Sequence, residues 1–433
     1  MDFNTILLKF GFDSTNFVNK PVAAIENNSG FIYEVEEQFK QRICPNCNNR
    51  NMHIHTYKWT NVKLSSTINV EEILRIKRIR YKCPSCGKTH TFSLDGLARN
   101  ESISPFVKTA IKNEFKLLES FSSISKRYSV SLNTVINIFD EYTKYVPKRE
   151  LPEYLCIDEK HFESEGDGKY CVVLSDFFTG EVVDVLENRQ MPYLDRYFSN
   201  LSLRERDKVK VVISDMYEGY STIKNKYFPK ALYVIDLFHV VKLLTETVKK
   251  LRIRTYNQYC FDDCIEKHFM KHNWKVFLCD LYRIHKNEYH SEKYHETVSY
   301  GEIILRCVKL NPTFWDGYNI LQELLHYDRY ETYSDAERFI NRIIAKLNST
   351  GDELLMRIAT TYKRWKTGIV NGLARNQTGK RFSNAVAENN NSHIQRVIDV
   401  AYGYRNFKRF RARIMLLLAY KNQRWYTLSD IPP

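Results

Sequence analysis

The chain has 433 residues, 43% of them hydrophobic, and its 65 lysine and arginine residues outnumber 51 acidic ones. This length predicts more than one domain, and the apolar content suffices for buried cores, which excludes global disorder. No apolar run approaches the ~18 residues of a membrane span, and the N-terminus lacks the features of a secretory signal, so we expect a cytoplasmic protein without a membrane partner. The formal net charge of +14 favours a polyanionic partner, with nucleic acid as first candidate.

The N-terminal segment, 1–38, carries a short predicted helix around Asn4–Phe10 and a strand near Gly30–Glu34, and the sequence does not indicate its role. A strand-rich segment, 39–97, follows and contains two C-x₂-C motifs. These motifs supply the four thiolates of a closed structural zinc site: Cys44, Cys47, Cys83 and Cys86. We expect a zinc ribbon that binds one Zn²⁺, with redox chemistry at one motif as the alternative.

The ribbon is predicted to have strands over Met52–Trp59, Val62–Ile68 and Ile73–Tyr81. Basic residues crowd the strand before the second cysteine motif, namely Arg75, Lys77, Arg78, Arg80 and Lys82. Contact with phosphate and a solvated strand face are both compatible with this pattern.

Residues 98–148 are predicted to be helical, and Ser122–Tyr142 has the spacing of a helix-turn-helix. Five residues are expected to pack inward: Ile124, Tyr128, Val130, Val135 and Ile138. A turn at Ser131–Asn133 would let Asn133 cap a second helix, Thr134–Tyr142, that enters the major groove of DNA. The candidate DNA contacts are Ser131, Asn133, Thr134 and Asn137 on that helix, with Lys126 and Arg127 on phosphate. An ordinary helical hairpin shares this periodicity.

Residues 149–245 alternate short apolar runs with amphipathic stretches, as in an α/β domain. Three antiparallel strands are predicted first, then a helix at Pro192–Asn200, then two more strands. The five strands are Tyr154–Asp158, Tyr170–Asp176, Glu181–Asn188, Val209–Ser214 and Leu232–Ile235. This order is ribonuclease-H-like, and in that arrangement the first and fourth strands are neighbours. The expected fold class is therefore multidomain α/β with a ribonuclease-H-like catalytic core.

Three aspartates, Asp158, Asp215 and Asp236, stand where apolar runs stop, and α/β sheets place their chemistry at such strand ends. Converging carboxylates favour Mg²⁺ or Mn²⁺, and two such ions act as a clamp on phosphoryl displacement. His239 follows Asp236 by one helical turn, and a substrate-orienting pair and a plain N-cap both fit. Four further carboxylates are predicted to be solvated or turn-forming: Asp176, Asp184, Glu159 and Glu187.

The rest of the chain is predicted to be helical, with an all-α insertion over 246–380 and the final helices of the core over 381–433. Glu388 begins a polar helix, and Asn391 and Gln395 share its face at i+3 and i+7. A basic helix follows, with a buried stripe of Phe407, Phe410, Ile414 and Leu417. Arg405, Lys408, Arg409 and Arg411 are left for phosphate or solvent.

A series of motifs runs in order between residues 40 and 424. They are CPNC…CPSC, the helix-turn-helix, IDEKHF, ISDMYEGY, VIDLFHVVK and AENNNSHIQRVIDVAYGYRNFKRFRARI. Together they resemble DDE-type bacterial transposases of the insertion-sequence family called ISL-three. The resemblance implies catalytic Asp158, Asp215 and Glu388 that hold two Mg²⁺ ions, with Asp236 and His239 as a supporting motif. Such proteins tend to carry Lys two turns after the Glu, where this chain has Gln395.

The function that the resemblance implies is that of a transposase of a bacterial insertion sequence. It would bind terminal inverted repeats through the ribbon and the helix-turn-helix, cleave the 3′ ends with Mg²⁺, and join them to target DNA. Its partners would be double-stranded DNA and at least a second copy of the chain, in the nucleoid of the cytoplasm. A non-catalytic DNA-binding regulator and a nuclease of the same fold are the alternatives.

Overall fold

The computed structural model describes residues 2–22, 24–27, 30–64, 71–94, 97, 102–162, 169–258, 263–326, 332–374, 382 and 385–419. The chain forms two compact units. The N-terminal unit comprises Met1–Pro147, Gln395–Tyr404 and Lys408–Pro433, and the central unit comprises Lys148–Ile394 and Arg405–Phe407. Across the described ranges, no helix has the length and apolar character needed to span a membrane.

The N-terminal unit begins with a helix, α1 (Phe3–Phe10), and a five-stranded sheet. The strands are β1 (Ala24–Asn27), β2 (Gly30–Glu36), β3 (His53–Leu64), β4 (Glu71–Lys82) and β5 (Thr89–His90). Their order is β1-β2-β4-β3, with β5 beside β4. β2 and β4 are parallel, and the other pairs are antiparallel.

The sheet differs from the prediction at β3, which is one strand where the sequence indicated a break after Trp59. Thr60 and Asn61 stay in the ladder, opposite Ile76 and Arg75. Polar residues fit there because β3 is an edge strand, so the pattern of apolar runs underestimated its length. The predicted strand end at 65–68 lies outside the described residues.

The N-terminal segment, 1–38, shares the core of this sheet. Asp2 caps α1 through the Thr5 amide, and Gly11 ends the helix with a φ of 79°. Ile6, Leu7 and Phe10 form the buried face of α1 and join a cluster with Leu74 and Ile76 of β4. β2 also pairs with β4 along its whole length. The segment of unknown role therefore packs as part of the same sheet that carries the cysteines.

Three helices follow: α2 (Pro105–Glu114), α3 (Phe121–Arg127) and α4 (Leu132–Tyr142). Ile124, Val135 and Ile138 are buried between them, and Tyr128 and Val130 are partly buried there, as the spacing predicted. The predicted cap is wrong by two residues. α4 begins at Leu132, and the Ser131 hydroxyl, rather than Asn133, accepts the Thr134 amide. A serine two residues earlier reaches the third free amide of the helix, which the Asn cannot.

The central unit is built on a second sheet. Its strands are β6 (Tyr154–His161), β7 (Tyr170–Asp176), β8 (Val182–Leu186), β9 (Val211–Ser214) and β10 (Leu232–Ile235). Their order is β10-β9-β6-β7-β8. The pairs β6–β7 and β7–β8 are antiparallel, whereas the pairs β6–β9 and β9–β10 are parallel. The first and fourth strands of this unit are neighbours, as predicted.

Helices α5 (Met191–Ser199), α6 (Leu203–Asp207) and α7 (Glu218–Tyr227) connect these strands. β6 is longer than predicted, because Glu159–His161 continue to pair with Tyr170–Val172 of β7. Asp158 therefore lies within a strand rather than at its end.

A large helical block follows β10. It contains α8 (Leu237–Gln258), α9 (Ile265–His272), α10 (Leu281–Ile284), α11 (Tyr300–Lys309), α12 (Pro312–Leu325), α13 (Tyr333–Ser349), α14 (Glu353–Arg364) and α15 (Lys366–Leu373), with a 3₁₀ turn at Trp274–Leu278. One continuous apolar core joins these helices.

The prediction of an all-α insertion is wrong in one place. β11 (Glu288–Ser291) and β12 (Glu296–Ser299) form an antiparallel hairpin. Tyr289 and Val298 pack against the helical core, while His290 points outward and contacts Thr297. This two-residue alternation covers only a short stretch in each strand, too little to stand out among helix-forming neighbours.

The chain ends in α16 (Ala385–Val400), α17 (Phe407–Ile414) and a π-helical turn at Met415–Ala419. Phe410 and Ile414 are buried, as predicted. Arg413 is buried too, and its guanidinium donates to the carbonyls of Phe115, Leu117 and Glu119. Ala412 and Leu416 join the core of α2–α4. The sequence grouped 381–433 with the catalytic core, but Lys408–Ala419 packs against the three-helix part of the N-terminal unit.

Candidate active site and metal centres

The four predicted cysteine ligands converge at one point of the N-terminal unit. Their sulfur atoms lie within 4.8 Å of one another. The Sγ atoms of Cys44 and Cys86 are 3.6 Å apart, and those of Cys47 and Cys83 are 3.5 Å apart. A tetrahedral ion with bonds of about 2.3 Å requires sulfur separations of roughly 3.8 Å. These distances are close to that value, so the cluster fits a structural zinc ion.

The three aspartates of the central unit form a row across neighbouring parallel strands. Cys156, Ile213 and Val234 are direct partners on β6, β9 and β10. Asp158 follows two residues later on the same face of β6, and Asp215 and Asp236 directly follow the last residues of β9 and β10. The Asp236 amide donates to the Ser214 carbonyl at 2.9 Å, which continues the ladder to the level of the row.

α16 covers this face of the sheet and brings Glu388 to the row. Its Ala387 packs against Cys156, Ile213 and Val234 in one apolar cluster. One turn later, the Asn391 side chain donates to Asp158 Oδ2 at 2.8 Å and to the Glu159 carbonyl at 3.1 Å. The structure thus brings Glu388 near Asp158 and Asp236, although the whole helical block separates Asp236 from Glu388 in sequence, and Asp215 lies near Asp158 and Glu159.

Burial and mutual repulsion dominate the electrostatics of these carboxylates. Burial raises the pKa of Asp158 to about 6, with contributions from the negative charges of Asp236, Glu159 and Glu388. Burial also raises the pKa of Asp215 to about 7, where Glu159 and Asp158 add to the effect and Arg189 opposes it. The pKa of Glu388 is raised by burial and then by Asp236, while Lys242 lowers it. At Asp215 and Glu388 the nearby positive charges of Arg189 and Lys242 do not offset burial and the neighbouring carboxylates.

The site also contains buried oxygens without a hydrogen-bond donor. Among the described residues, these include Asp215 Oδ1, Asp236 Oδ2 and Asn391 Oδ1. A buried acceptor without a partner is costly, and hard oxygen ligands are those that Mg²⁺ and Mn²⁺ prefer. The donor set therefore fits a divalent cation. In the part of the chain that the structure describes, the cysteines alone bring three or more ligand atoms within 4.8 Å, so the carboxylates are spaced more widely, consistent with their repulsion.

Sequence reasoning missed a second layer on the opposite face of β6. Glu159 was predicted to be solvated or turn-forming, but it accepts from Tyr220 Oη at 3.0 Å and from Arg189 at 2.6 Å. The Arg189 guanidinium also lies over the rings of Tyr170 and Tyr217. A carboxylate that directly follows a candidate ligand in a strand must point to the other face, and this alternation was the available signal.

Two other carboxylates that were predicted to be solvated or turn-forming, Asp176 and Asp184, have different environments. Asp176 forms a turn, as predicted, because its Oδ1 accepts the amides of Phe178 and Thr179. Asp184 was predicted to be solvated or turn-forming, but it is 2% exposed and accepts from Tyr197 Oη at 3.0 Å. Its neighbours in β8 are all buried, so the strand carries the carboxylate inward.

The predicted pairing of Asp236 with His239 is loose. Their closest atoms, Oδ2 and Nε2, are 4.0 Å apart, which is longer than a hydrogen bond. Burial lowers the pKa of His239, which favours the neutral ring. Asp236 Oδ1 accepts the Phe238 amide at 3.3 Å, so the capping alternative accounts for one of its two oxygens.

Some of the candidate DNA contacts are exposed without an assigned role in the fold, and others form hydrogen bonds or ion pairs within the protein. Lys126, Asn133, Asn137, Arg405 and Lys408 are exposed. Ser131 and Thr134 bond to each other at the start of α4. Arg127 forms ion pairs with Glu114 and Glu119, and Arg409 forms two hydrogen bonds with Asp140. The expectation that Arg409 and Arg411 are left for solvent or phosphate is corrected, since Arg411 also donates to the Val146 carbonyl. The phosphate contact of Arg127 stays a prediction.

The basic strand of the ribbon is also partly engaged. Arg78 is 1% exposed and paired with Glu37, so it belongs to neither a phosphate-binding nor a solvated face. Arg75 and Lys77 pair with Glu34 and Glu36 of β2. These partners come from the N-terminal segment, which the sequence treated as separate from the ribbon.

Comparison with known proteins identifies the family. Residues 155–414 match a family of DDE transposases, ISL3, described as transposase, and residues 40–86 match the zinc-finger of transposases IS204, IS1001, IS1096 and IS1165. The chain is 23% identical over 382 residues to the transposase for insertion sequence element IS1001 of Bordetella parapertussis, across 87% of this chain and 88% of that protein. Because the match to this transposase family covers more than half of the chain, the protein is a transposase. The chain belongs to the ISL3 (ISL-three) family of DDE transposases, which confirms the resemblance drawn from its motifs.

Proposed function

We propose that this transposase binds the terminal inverted repeats of its element and catalyses metal-dependent 3′-end cleavage and strand transfer. The observation that carries the proposal is the row of Asp158, Asp215 and Asp236 on one sheet face, opposite Glu388 of α16. Transposase membership gives the class of reaction. The row of carboxylates gives the residues to which we assign this reaction.

The sheet of the central unit is assigned a ribonuclease-H-like topology. The order β10-β9-β6-β7-β8, with an antiparallel and a parallel half, supports this assignment. In such a sheet the first and fourth strands are adjacent, and this adjacency accounts for the closeness of Asp158 and Asp215. The helical block between β10 and α16 is then an insertion in the core.

Asp158, Asp215 and Glu388 are assigned as ligands of Mg²⁺ or Mn²⁺, with two ions in the complete site. Bound divalent ions supply positive charge to the scissile phosphate and lower the pKa of an attacking water or 3′-hydroxyl. Asn391 fixes the orientation of the Asp158 carboxylate through its 2.8 Å hydrogen bond. No covalent protein–DNA intermediate is required, because the freed 3′-hydroxyl is itself the nucleophile.

DNA recognition is assigned to the N-terminal unit. The buried core of α3 and α4 and the serine-capped start of α4 support a helix-turn-helix, with α4 as the recognition helix. Asn133 and Asn137 are exposed on α4 and are the proposed base contacts, and Lys126 is a proposed phosphate contact. Lys408 of the same unit is exposed, and Arg405 of the central unit is a separate exposed candidate for a phosphate contact. Because two element ends must be held, we expect at least a dimer on DNA.

The test is a cleavage and strand-transfer assay on DNA that carries the element ends. Asp158→Asn, Asp215→Asn and Glu388→Gln should each reduce both reactions below detection and leave end binding intact. Asp176→Asn is the matched control, because it makes the same chemical change in a turn of the same sheet. Full cleavage by any of the three variants with Mg²⁺ contradicts the assignment. Cleavage without strand transfer by the unaltered protein favours a nuclease.

A further inference from the structure

Asp236 is the most deeply buried carboxylate of the row. It is 1% exposed, against 7% for Asp158. Its two oxygens have different surroundings. Oδ1 accepts the Phe238 amide at the start of α8, whereas Oδ2 is buried and has no hydrogen-bond partner among the described residues. The helix cap therefore leaves one oxygen unsatisfied.

The surroundings of Asp236 supply negative rather than positive charge. It follows Val234 by two residues, so it lies on the sheet face of Asp158 and Asp215. Its charge contributes to the raised pKa values of both Asp158 and Glu388, so it lies near both. His239 Nε2 is 4.0 Å from Oδ2 and does not hydrogen-bond to it. A buried acceptor without a donor is costly, so Oδ2 is open to a partner from outside the described residues.

The position of Asp236 is fixed by close packing from behind. α15 lies against β10, and Asn371 Nδ2 donates to the Tyr233 carbonyl at 2.7 Å. A Cβ at Gly372 would lie 2.6 Å from the Ile235 carbonyl oxygen, so only glycine permits this approach. The strand end that carries Asp236 is thus held rigidly, as a ligand requires.

We propose that Asp236 is a direct oxygen ligand of the divalent ion, so that four carboxylates rather than three surround the metal site. Oδ1 caps α8, and Oδ2 faces the ion. This inference rests on the proposed function and deepens it. It replaces the supporting role, tied to His239, that the sequence suggested.

The first test measures Mn²⁺ binding by electron paramagnetic resonance on the full-length, zinc-loaded protein, without DNA. Asp236→Asn keeps the helix cap and removes the charge. It should weaken Mn²⁺ binding by more than about 100-fold, beyond the roughly 10–100-fold effect of residues that only support a ligand. His239→Gln is the matched control and should change it by less than about tenfold. A smaller loss in Asp236→Asn overturns the inference.

The same titration separates this inference from the proposed function. If Asp158→Asn loses Mn²⁺ binding and Asp236→Asn does not, the inference fails and the metal site stands. If neither variant changes Mn²⁺ binding, the proposed metal site itself fails.

The second test asks for direct contact. A thiolate at a ligand position binds the soft ion Cd²⁺ and gives a sulfur-to-cadmium absorption band in the ultraviolet. Asp236→Cys should show this band, and Asp236→Ser, with the same zinc ribbon as background, should not. Mn²⁺ binding by Asp236→Ser should be lost. Equal spectra for the two variants, with circular dichroism that shows both folded, overturn direct coordination.

Discussion

In the candidate active site, the individual carboxylates proposed to bind metal also lower the stability of the metal-free protein. The pKa values of Asp158, Asp215 and Glu388 are raised by burial and by the negative charge of neighbouring carboxylates. Such an arrangement costs folding free energy in the absence of metal, and strained or repulsive groups of this kind collect at functional sites. The cost is a measurable property of individual side chains.

We expect the metal-free protein to lose stability as pH rises from about 5 to 8. The pKa of Asp158 is raised from 3.8 to about 6, so the folded chain binds this proton more tightly than the unfolded chain. The resulting stability is fully present below pH 3.8 and is lost as pH rises through about 6, and for Asp215 through about 7. For Asp158 it amounts to about 3 kcal/mol at most.

Urea unfolding of the metal-free protein across this pH range checks the expectation. Asp158→Asn stays neutral and should become more stable relative to the unaltered protein as pH rises. Asp176→Asn should not show this trend. A difference between Asp158→Asn and the unaltered protein that is independent of pH contradicts the repulsion.

Lys126 and Arg127 are neighbours that should contribute unequally to DNA binding. Lys126 is exposed, whereas Arg127 is committed to Glu114 and Glu119. Lys126→Ala should weaken end binding and reduce the slope of log K against log salt by about 0.9, as expected for one phosphate contact. Arg127→Ala should change that slope less. Titrations of labelled end DNA at several salt concentrations measure both slopes, and equal slopes rule out the distinction.

At the scale of elements, the strand end of β10 depends on two glycines of α15. A Cβ at Gly372 meets the Ile235 carbonyl, which is backbone, and a Cβ at Gly368 meets the Ile235 side chain at 2.7 Å. Gly372→Ala should destabilise the central unit by about 1–3 kcal/mol, because the helix must move away from the strand. Gly368→Ala should be partly rescued by Ile235→Ala, and Gly372→Ala should not.

Differential scanning calorimetry of these variants, including Ile235→Ala alone, provides the measurement. Rescue of Gly372→Ala by Ile235→Ala would show that the backbone contact does not limit the approach of α15. Both glycines affect the candidate active site only through the placement of β10, since the atoms nearest to each belong to Ile235.

Elements were predicted most accurately where an apolar run was short and bounded. Leu232–Ile235 of β10 has its predicted bounds, and β7 does as well. β3 was predicted as two separate strands, and the hairpin β11–β12 was not predicted. The reason is that edge strands and small hairpins tolerate polar residues. The local pattern of apolar and polar residues reveals a strand only where that strand is buried. These strands are largely exposed on at least one side.

At the scale of the whole molecule, the zinc ion should control the N-terminal unit more than the central unit. The sulfur cluster joins the segment before β3 to the segment after β4, at the end of the pair where His53 lies opposite Lys82. Cys83→Ser should reduce bound zinc from one per chain to a small fraction and should abolish end binding. Mn²⁺ binding by the central unit should persist. Elemental analysis, a gel-shift assay and the Mn²⁺ titration check these outcomes, and unchanged end binding without zinc contradicts them.

The sequence by itself determined the cysteine ligands, the order of strands in the central unit and the family. These depend on spacing and on short apolar runs, which are local properties of the chain. It also singled out Asp158, Asp215 and Glu388, through motifs whose assigned roles stay a prediction. Only the tertiary structure decided the rest. It placed Asp236 in the row of aspartates, turned Glu159 to Arg189 and Tyr220, committed Arg127 and Arg409 to ion pairs, and joined the N-terminal segment to the ribbon sheet. The physical reason is that partners distant in sequence decide which charges are compensated, and spacing along the chain carries no record of those partners.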